Sequence, residues 1–262
     1  MNQKQRSALN KILNDKTSGS SELLIKINQL LLDSLPDLKT IYEISGEIKK
    51  ELSHFSILEN YLKELKSVSI KNDKQQLGKF FKKYSSDYNK YKIIAGKLKI
   101  KIKGNKRIVT ISRSGTFLNV ISLTDPKRKL EITVLESRPE NEGRFTAKDL
   151  LTKGFKVKFI TDAMMAFAIQ NTDCAIIGAD SVLKNGNVVN KSGSLPLAIL
   201  CKKYKKPFYV LATKSKISSK QKFNLVKEKS SAIWNYKNPK LSINNFPFEE
   251  IDKNLITSII TE

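Results

Sequence analysis

The hydrophobic positions of this 262-residue chain change their period once along the sequence. Up to about residue 98 they recur every three to four positions, which is the spacing of one buried helix face. From about residue 105, short β-branched runs alternate with helical stretches. We therefore predict a helical domain over residues 1–98, followed by a Rossmann-like α/β domain with a parallel sheet over residues 105–262.

The boundaries of the predicted elements follow from breaks in this pattern. In the first part, Pro36 ends a helix that begins near Ser20, and further helices are predicted over 38–57, 61–68 and 75–98. In the second part, predicted helices separate strands at 108–111, 130–135, 157–160, 174–177 and 208–212. This alternation predicts a sheet that helices cover on both faces.

Polar residues follow several predicted strands directly. Ser112, Arg113 and Gly115 follow the first strand, Arg138 follows the second, and Asp180 follows the fourth. Ligands of open α/β sheets bind beyond the carboxyl ends of the strands, so we expect these residues to share one crevice. The Arg113 guanidinium and the amides near Gly115 are candidates for holding an anion there.

The stretch from Cys174 to Ser194 combines the candidate chemistry. An apolar strand leads to Asp180, and Asn185-Gly186 predicts a type I′ hairpin that returns Asn190 and Lys191 to Asp180. The next helix begins near residue 195, and its free first-turn amides face the same place. A carboxylate, an ammonium group and amide donors suit a phosphorylated, hydroxyl-rich small molecule.

Composition restricts the class of protein. The chain has 48 Lys plus Arg against 25 Asp plus Glu, a formal charge of +23. The lysines are scattered, so a solvated basic surface is the simpler interpretation, and contact with nucleic acid or with an acidic protein surface is the alternative. Without an apolar run for a membrane span or a signal peptide, we expect a cytoplasmic protein.

Cys174 and Cys201 are interpreted as small buried hydrophobes, and a single histidine, His54, predicts no metal site or cofactor.

Several motifs together resemble one family. They are GAD at 178–180, NKSGS at 190–194, PFYV at 207–210, LESRP at 135–139, GRFTA at 143–147 and FITD at 159–162. They are similar to motifs of the family that unites the α, β and δ subunits of translation initiation factor 2B with methylthioribose-1-phosphate isomerase and ribose-1,5-bisphosphate isomerase. The resemblance covers at least residues 105–262.

The resemblance implies a crevice for a phosphorylated sugar or nucleotide. Its ligand-binding residues would be Arg113, Gly115, Arg138, Arg144, Asn190 and Lys191. Two positions depart from the isomerase pattern. Glu142 stands where the isomerases have Gln and would repel a phosphate, and the loop at 18–20 reads Ser-Gly-Ser where they have an Arg-Gly-Ala turn.

The resemblance also implies an acid–base pair made of Asp180 and a cysteine, and Ser112 occupies the position of that cysteine. An alcohol's pKa lies far above that of a thiol, and we expect no histidine to activate Ser112, because His54 falls in the helical domain. Two interpretations stay open. One is a non-catalytic regulatory subunit that binds a sugar phosphate or nucleotide and docks a partner such as initiation factor 2; the other is an aldose–ketose isomerase. In either case the family implies a homodimer.

Overall fold

Helices form the first part of the chain. The computed structural model describes residues 1–15, 17–69, 74–85 and 88–262. The helices before the first strand are α1 Gln3–Leu13, α2 Ser20–Leu32, α3 Leu38–Leu52, α4 Ser56–Ser69, α5 Lys74–Ser85 and α6 Tyr88–Lys101. The single helix predicted over 38–57 is therefore wrong, because the chain turns at residues 53–55. The helix predicted over 75–98 corresponds to α5 and α6, and residues 86–87 between them lie outside the described residues.

The second part alternates strands and helices, as the hydrophobic pattern predicts. Its elements are β1 Arg107–Thr110, α7 Gly115–Thr124, β2 Glu131–Leu135, α8 Glu142–Thr152, β3 Lys156–Ile160, α9 Met165–Gln170, β4 Cys174–Ile177, β5 Ser181–Val182, β6 Val188–Lys191, α10 Ser194–Lys203, β7 Phe208–Leu211, β8 Phe248–Ile251 and β9 Ser258–Ile260.

Six of the strands form one parallel sheet in the order β3-β2-β1-β4-β7-β9. The chain adds β2 and β3 on one side of β1 and then β4 and β7 on the other. The strand order reverses between β1 and β4, which is where open α/β sheets leave a crevice. This confirms the α/β class with a helical first part.

A small antiparallel sheet, in the order β5-β6-β8, lies beyond the tip of β4. The sequence pattern predicts neither β8 nor β9. The turn between β5 and β6 is not type I′, which needs positive φ at both central residues. Of the two central residues, Asn185 and Gly186, only Gly186 has a positive φ, of 89°. The Gly186 amide donates to the Leu183 carbonyl at 2.9 Å. The pairing nevertheless returns Asn190 and Lys191 toward Asp180, as expected.

Three hydrophobic clusters support these elements, and one of them packs α9 and α10 against the sheet. Side chains of α1 to α5 form one cluster around Ile27, Ile41 and Tyr61. Residues of α6, including Ile94 and Leu98, instead pack against the sheet together with α7. The division into domains at residues 98 and 105 stays a prediction. No described helix is long and apolar enough to cross a bilayer.

Two glycines allow the close approach of elements around the strand tips. A Cβ at Gly143, in the first turn of α8, would lie 1.9 Å from the Leu135 carbonyl oxygen. A Cβ at Gly178, after β4, would lie 2.2 Å from Ser114 Oγ. Both distances are shorter than any van der Waals contact, so any larger residue would push α8 or α7 away from the crevice.

Candidate functional site

A crevice lies where the tips of β1, β2 and β4 meet the first turn of α2. Residues from distant parts of the chain line it: Leu13, Asp15, Thr17, Ser18, Gly19, Ser20, Leu23, Leu52, His54, Phe55, Ser112, Arg113, Glu140, Glu142, Asp180, Lys191, Glu228, Pro247 and Phe248. Of the predicted site residues, Ser112, Arg113, Asp180 and Lys191 are therefore brought together.

Asp180 lies three residues beyond the end of β4, at the strand tip that the sequence predicts. Its Oδ1 accepts a hydrogen bond from Ser20 Oγ at 2.9 Å. Burial raises the pKa of Asp180 above 3.8, although Lys216, Ser20 and Lys191 oppose the shift. A carboxyl group with a raised pKa beside a crevice is a candidate for proton transfer.

Lys216 is a neighbour of Asp180 that the sequence analysis missed. It is only 2% exposed, and its Nζ donates to the Ala179 carbonyl at 2.5 Å. Burial lowers the pKa of Lys216 below 10.5, and Asp180 partly offsets this effect. Lys216 follows the carboxyl end of β7, so the strand-tip rule applied to the other strands would have identified it as well.

Lys191 is buried and paired within the chain. Its Nζ lies 2.7 Å from Glu142 Oε1, and the two residues are 3% and 8% exposed. Burial raises the pKa of Glu142, and Lys191 opposes the rise. Glu142 Oε2 is also buried and has no hydrogen-bond partner. Glu142, which departs from the isomerase pattern, thus pairs with the Lys191 ammonium group. The sequence analysis assigns that ammonium group to a phosphate.

The first turn of α10 is not free to bind an anion, contrary to expectation. Glu249, from β8, accepts hydrogen bonds from the amides of Gly193 and Leu195 through Oε1, each at 2.7 Å. Burial raises the pKa of Glu249, while these amides oppose the shift. Asn190 likewise uses its Nδ2 on Ser194 Oγ, at 2.8 Å. The Glu249 carboxylate thus lies at the N-terminal end of α10, where the sequence analysis places a phosphate.

Arg113 links three elements around the crevice. Its Nη1 lies 3.3 Å from Glu22 of α2, and its Nη2 lies 3.1 Å from Asp149 of α8. Glu22 also stands at the start of α7, because a Cβ at Gly115 would lie 4.0 Å from Glu22 Oε1. The sequence analysis assigns the Arg113 guanidinium and the first turn of α7 to a bound anion. In the structure, carboxylates of the chain itself already lie at both places.

Arg138 and Arg144 are exposed and are not among the residues that line the crevice. Arg138 Nη2 lies 3.4 Å from the Ile233 carbonyl oxygen. Anion binding by these two arginines stays a prediction, and it requires their side chains to turn inward.

Ser112 lines the crevice in a left-handed backbone conformation, with φ of 64°. Its amide donates to Ser137 Oγ at 2.7 Å, and its carbonyl accepts from Thr146 Oγ1 at 2.9 Å. His54 lies in the α3–α4 turn and lines the same crevice, with its ring 4.1 Å from that of Phe55 and 5.4 Å from that of Phe248. His54 thus lies in the helical part, as expected, but the α3–α4 turn brings it to the same crevice as Ser112. That it does not activate Ser112 stays a prediction.

The loop before α2 closes one side of the crevice. Asp15 Oδ1 accepts from the amides of Thr17 and Ser18 at 3.0 and 2.9 Å, and its Oδ2 lies 2.5 Å from Lys26 Nζ. Burial by itself would raise the pKa of Asp15, but the hydrogen bonds from Lys26, Ser18 and Thr17 hold it well below 3.8. This loop, which lacks the arginine of the isomerases, is thus held in place by hydrogen bonds to the Asp15 carboxylate.

The two cysteines lie away from this chemistry. Cys174 in β4 and Cys201 in α10 are fully buried. Burial raises the pKa of each thiol to about 12. Both are therefore buried small hydrophobes, as the sequence analysis interprets them.

The sheet order and the position of the crevice define a Rossmann-like α/β protein with its site at the switch point of the sheet. The chain belongs to the Initiation factor 2 subunit family, whose model matches residues 9–262. This confirms the resemblance that the motifs carry.

Both branches of the family are among the relatives. A putative translation initiation factor eIF-2B subunit 2-like protein of Pyrococcus furiosus is 30% identical over 81% of this chain and 79% of its own length. A methylthioribose-1-phosphate isomerase of Caenorhabditis briggsae is 35% identical over 56% of this chain and 44% of its own length. A ribose 1,5-bisphosphate isomerase of Archaeoglobus fulgidus is 33% identical over 47% and 40%. The chain thus matches less than half of either isomerase.

Solved structures agree with the fold. The translation initiation factor eIF-2B of Pyrococcus horikoshii superimposes with a TM-score of 0.85 and 25% identity, covering 100% of this chain and 96% of that one. A chain of the tetrameric eIF2B-beta2-delta2 complex of C. thermophilum has a TM-score of 0.67 at 16% identity, and the match covers 98% of this chain and 88% of that one.

Proposed function

We propose that this chain is a non-catalytic, initiation factor 2B-like regulatory subunit. In this proposal its crevice takes a phosphorylated sugar or nucleotide only by displacing an internal carboxylate, and its surface docks a partner subunit. The observation that carries the proposal is the buried pair between Lys191 and Glu142, with 2.7 Å between Nζ and Oε1.

The electrostatics of the crevice support a ligand-regulated subunit more than an enzyme. Among the described residues, its lining includes five carboxylates, at Asp15, Glu140, Glu142, Asp180 and Glu228, but only two Lys or Arg side chains, Arg113 and Lys191. Both cations are already paired within the chain. A bound phosphate must compete with these carboxylates, so we expect weak binding that responds to the state of Glu142.

Ser112 supports the absence of turnover. Proton transfer at a sugar carbon needs two groups whose pKa values lie near the working pH, and an alcohol does not meet this condition by itself. Burial raises the pKa of Asp180, so this residue is the candidate for one half of an acid–base pair.

Docking of a partner is the second part of the proposal. The relatives include initiation factor 2B subunits, one of them from a tetrameric complex. We propose a homodimer through the α/β domain, with initiation factor 2 as a further partner in the cytoplasm. Of the apolar C-terminal residues, Ile251 and Ile260 are buried within the protomer, so only the partly buried Leu255, Ile256 and Ile259 could contribute to that interface.

Calorimetric titration with ribose 1,5-bisphosphate tests the ligand site. Glu142→Gln removes the competing charge from Lys191, so we expect binding to tighten by about tenfold or more. Glu140→Gln is the matched control, since it removes one charge from the same crevice without freeing Lys191, and we expect a much smaller change. Equal effects of the two substitutions would contradict the assigned role of Glu142.

The isomerase is the second candidate, and the raised pKa of Asp180 together with His54 in the same crevice favours it. Proton NMR of wild-type protein with ribose 1,5-bisphosphate and with methylthioribose 1-phosphate separates the two functions. We expect no conversion. Conversion that Asp180→Asn abolishes would establish the isomerase and end the non-catalytic proposal.

A further inference from the structure

The edge of the large sheet opposite the crevice carries a dense group of positive charges. Parallel strands begin at this edge, and the segments that lead into β1, β2, β3 and β7 all meet there. They contain thirteen basic residues: Lys101, Lys103, Lys106, Arg107, Lys127, Arg128, Lys129, Lys153, Lys156, Lys202, Lys203, Lys205 and Lys206. We call this group the basic edge.

The register of the strands brings these segments into contact. Arg107 lies opposite Glu131 across β1 and β2, and Glu131 lies opposite Lys156 across β2 and β3. A shallow concavity is lined by Lys106, Arg107, Lys129 and Lys156 together with Gly104, Glu131 and Asp173. Most of the basic side chains are exposed to solvent. The charges of the β1, β2 and β3 segments therefore form one surface, and those of the β7 segment lie two strands beyond β1 at the same edge.

The acidic residues of these segments and of the segment before β4 do not cancel this charge. Asp125 accepts the Leu130 amide at 2.8 Å, and Glu131 pairs with Lys158, beyond the edge, at 2.7 Å. Asp173 accepts the amides of Lys106 and Arg107 at 2.7 and 2.8 Å, and its Oδ1 lies 3.7 Å from Arg107 Nη2, so it offsets one charge of the group. Among the described residues, no carboxylate is within ion-pairing distance of Lys103, Lys106, Lys129 or Lys156. The edge therefore keeps a large uncompensated positive charge.

Helix stability explains only part of the arrangement. Lysines in the last turn of a helix interact favourably with its negative end, and this accounts for Lys101 in α6 and for Lys202 and Lys203 in α10. Helix ends also account for Arg128 and Lys153, because Lys153 caps α8 and Arg128 donates to the carbonyls of Ser122 in α7 and of Lys153. The remaining eight basic residues lie beyond the helix ends or begin the strands, where no helix end accounts for them. Their shared position at one edge indicates a partner.

The dimensions of the edge match a nucleic-acid backbone. Strands from β3 to β7 are separated by four interstrand steps, which is roughly 19 Å at about 4.8 Å each. A duplex presents one phosphate charge per about 1.7 Å of its axis, or about eleven charges over this length. Flexible lysines dominate the group, and lysine acts as a point charge toward phosphates rather than as a reader of bases.

We propose that the basic edge binds the phosphate backbone of a nucleic acid without sequence preference. The site lies at the opposite end of the strands from the crevice, so both surfaces can be occupied at once. It goes beyond the proposed regulatory function and does not depend on the ligand or on catalysis.

Fluorescence anisotropy with a labelled RNA duplex of about 20 base pairs, and with a DNA duplex of the same sequence, tests the proposal. The test variant reverses four charges of the edge, Lys103→Glu, Lys106→Glu, Lys129→Glu and Lys156→Glu. The matched control reverses four exposed lysines of α3 and α5, Lys39→Glu, Lys49→Glu, Lys79→Glu and Lys82→Glu. Both variants have the same net charge, and circular dichroism checks that both fold.

We expect wild type and control to bind both duplexes, with affinity falling steeply between about 50 and 200 mM salt. The edge variant should lose on the order of 100-fold in affinity, and its salt dependence should weaken by about one unit of slope for each lost contact. Equal losses in edge variant and control would overturn the proposal, because net charge alone would then explain binding. No binding by wild type at about 50 mM salt, or tighter binding to phosphatidylserine vesicles or polyglutamate than to either duplex, would also overturn it.

Discussion

Ser20 Oγ donates a hydrogen bond of 2.9 Å to Asp180 Oδ1, joining the first turn of α2 to the tip of β4. Further bonds join α4 to the α/β part: Ser56 Oγ lies 2.5 Å from Ser181 Oγ of β5, and Asn60 Nδ2 donates to the Ser215 carbonyl after β7 at 2.9 Å. The helical part is thus anchored directly to the candidate site. A substitution that moves the side chains of the crevice therefore also alters how the helical part packs on the sheet.

Loss of the Ser20 hydroxyl should reduce stability. Ser20→Ala leaves the partly buried Asp180 carboxyl group without this donor, so we expect the free energy of unfolding to fall by about 1–3 kcal/mol in urea denaturation. Ser67→Ala is the control, because Ser67 is exposed and its hydroxyl donates to the Glu64 carbonyl of its own helix. A loss at Ser20 no larger than the loss at Ser67 would show that the bond to Asp180 does not contribute.

The pair between Lys191 and Glu142 should behave as one unit. Lys191→Met leaves a buried carboxylate unpaired, and we expect a loss of about 3–5 kcal/mol in the free energy of unfolding. The double variant with Glu142→Gln should lose less than the sum of the two single variants. Denaturant titration of all four proteins measures the coupling, and additivity within about 0.5 kcal/mol would contradict the pairing.

Asp15 should contribute stability that disappears in acid. Its pKa is held below 3.8 in the folded protein, so its stabilising effect is fully present above 3.8 and is lost as the pH falls through the folded value. We expect Asp15→Asn to be less stable than wild type at neutral pH and the difference to shrink steadily below pH 3.8. Thermal unfolding across this range measures it, and a difference independent of pH would disprove the role of the Asp15 charge.

Ser112→Cys should place an accessible thiol in the crevice. Cys174 and Cys201 are buried with pKa values raised to about 12, so the folded wild type should react with Ellman's reagent very slowly. Ser112 is partly exposed and lines the crevice, so the variant should show one additional fast-reacting thiol. Reaction that requires denaturant would place residue 112 out of reach of solvent and of any ligand.

Local sequence determines the elements of this protein and the position of its site along the chain. The apolar run that ends before Asp180 makes a buried strand with a polar tip, because β-branched residues pack well in a sheet and Gly178 permits close approach to α7. The same reasoning places Ser112 and Arg113 after β1 and Lys191 at the end of β6. Periodicity also separates the helical first part from the α/β second part.

Only the tertiary structure decides which charges meet. Glu142 and Lys191 are 49 positions apart, and Glu249 lies 56 positions from the amide of Gly193 that it caps. Such pairings depend on the order of strands in two sheets, one of which includes a strand with no clear pattern. His54 reaches the crevice for the same reason, because a turn between helices folds across the strand tips. The basic edge also emerges only from the fold, since its lysines come from four separate segments that parallel pairing gathers at one end of the sheet.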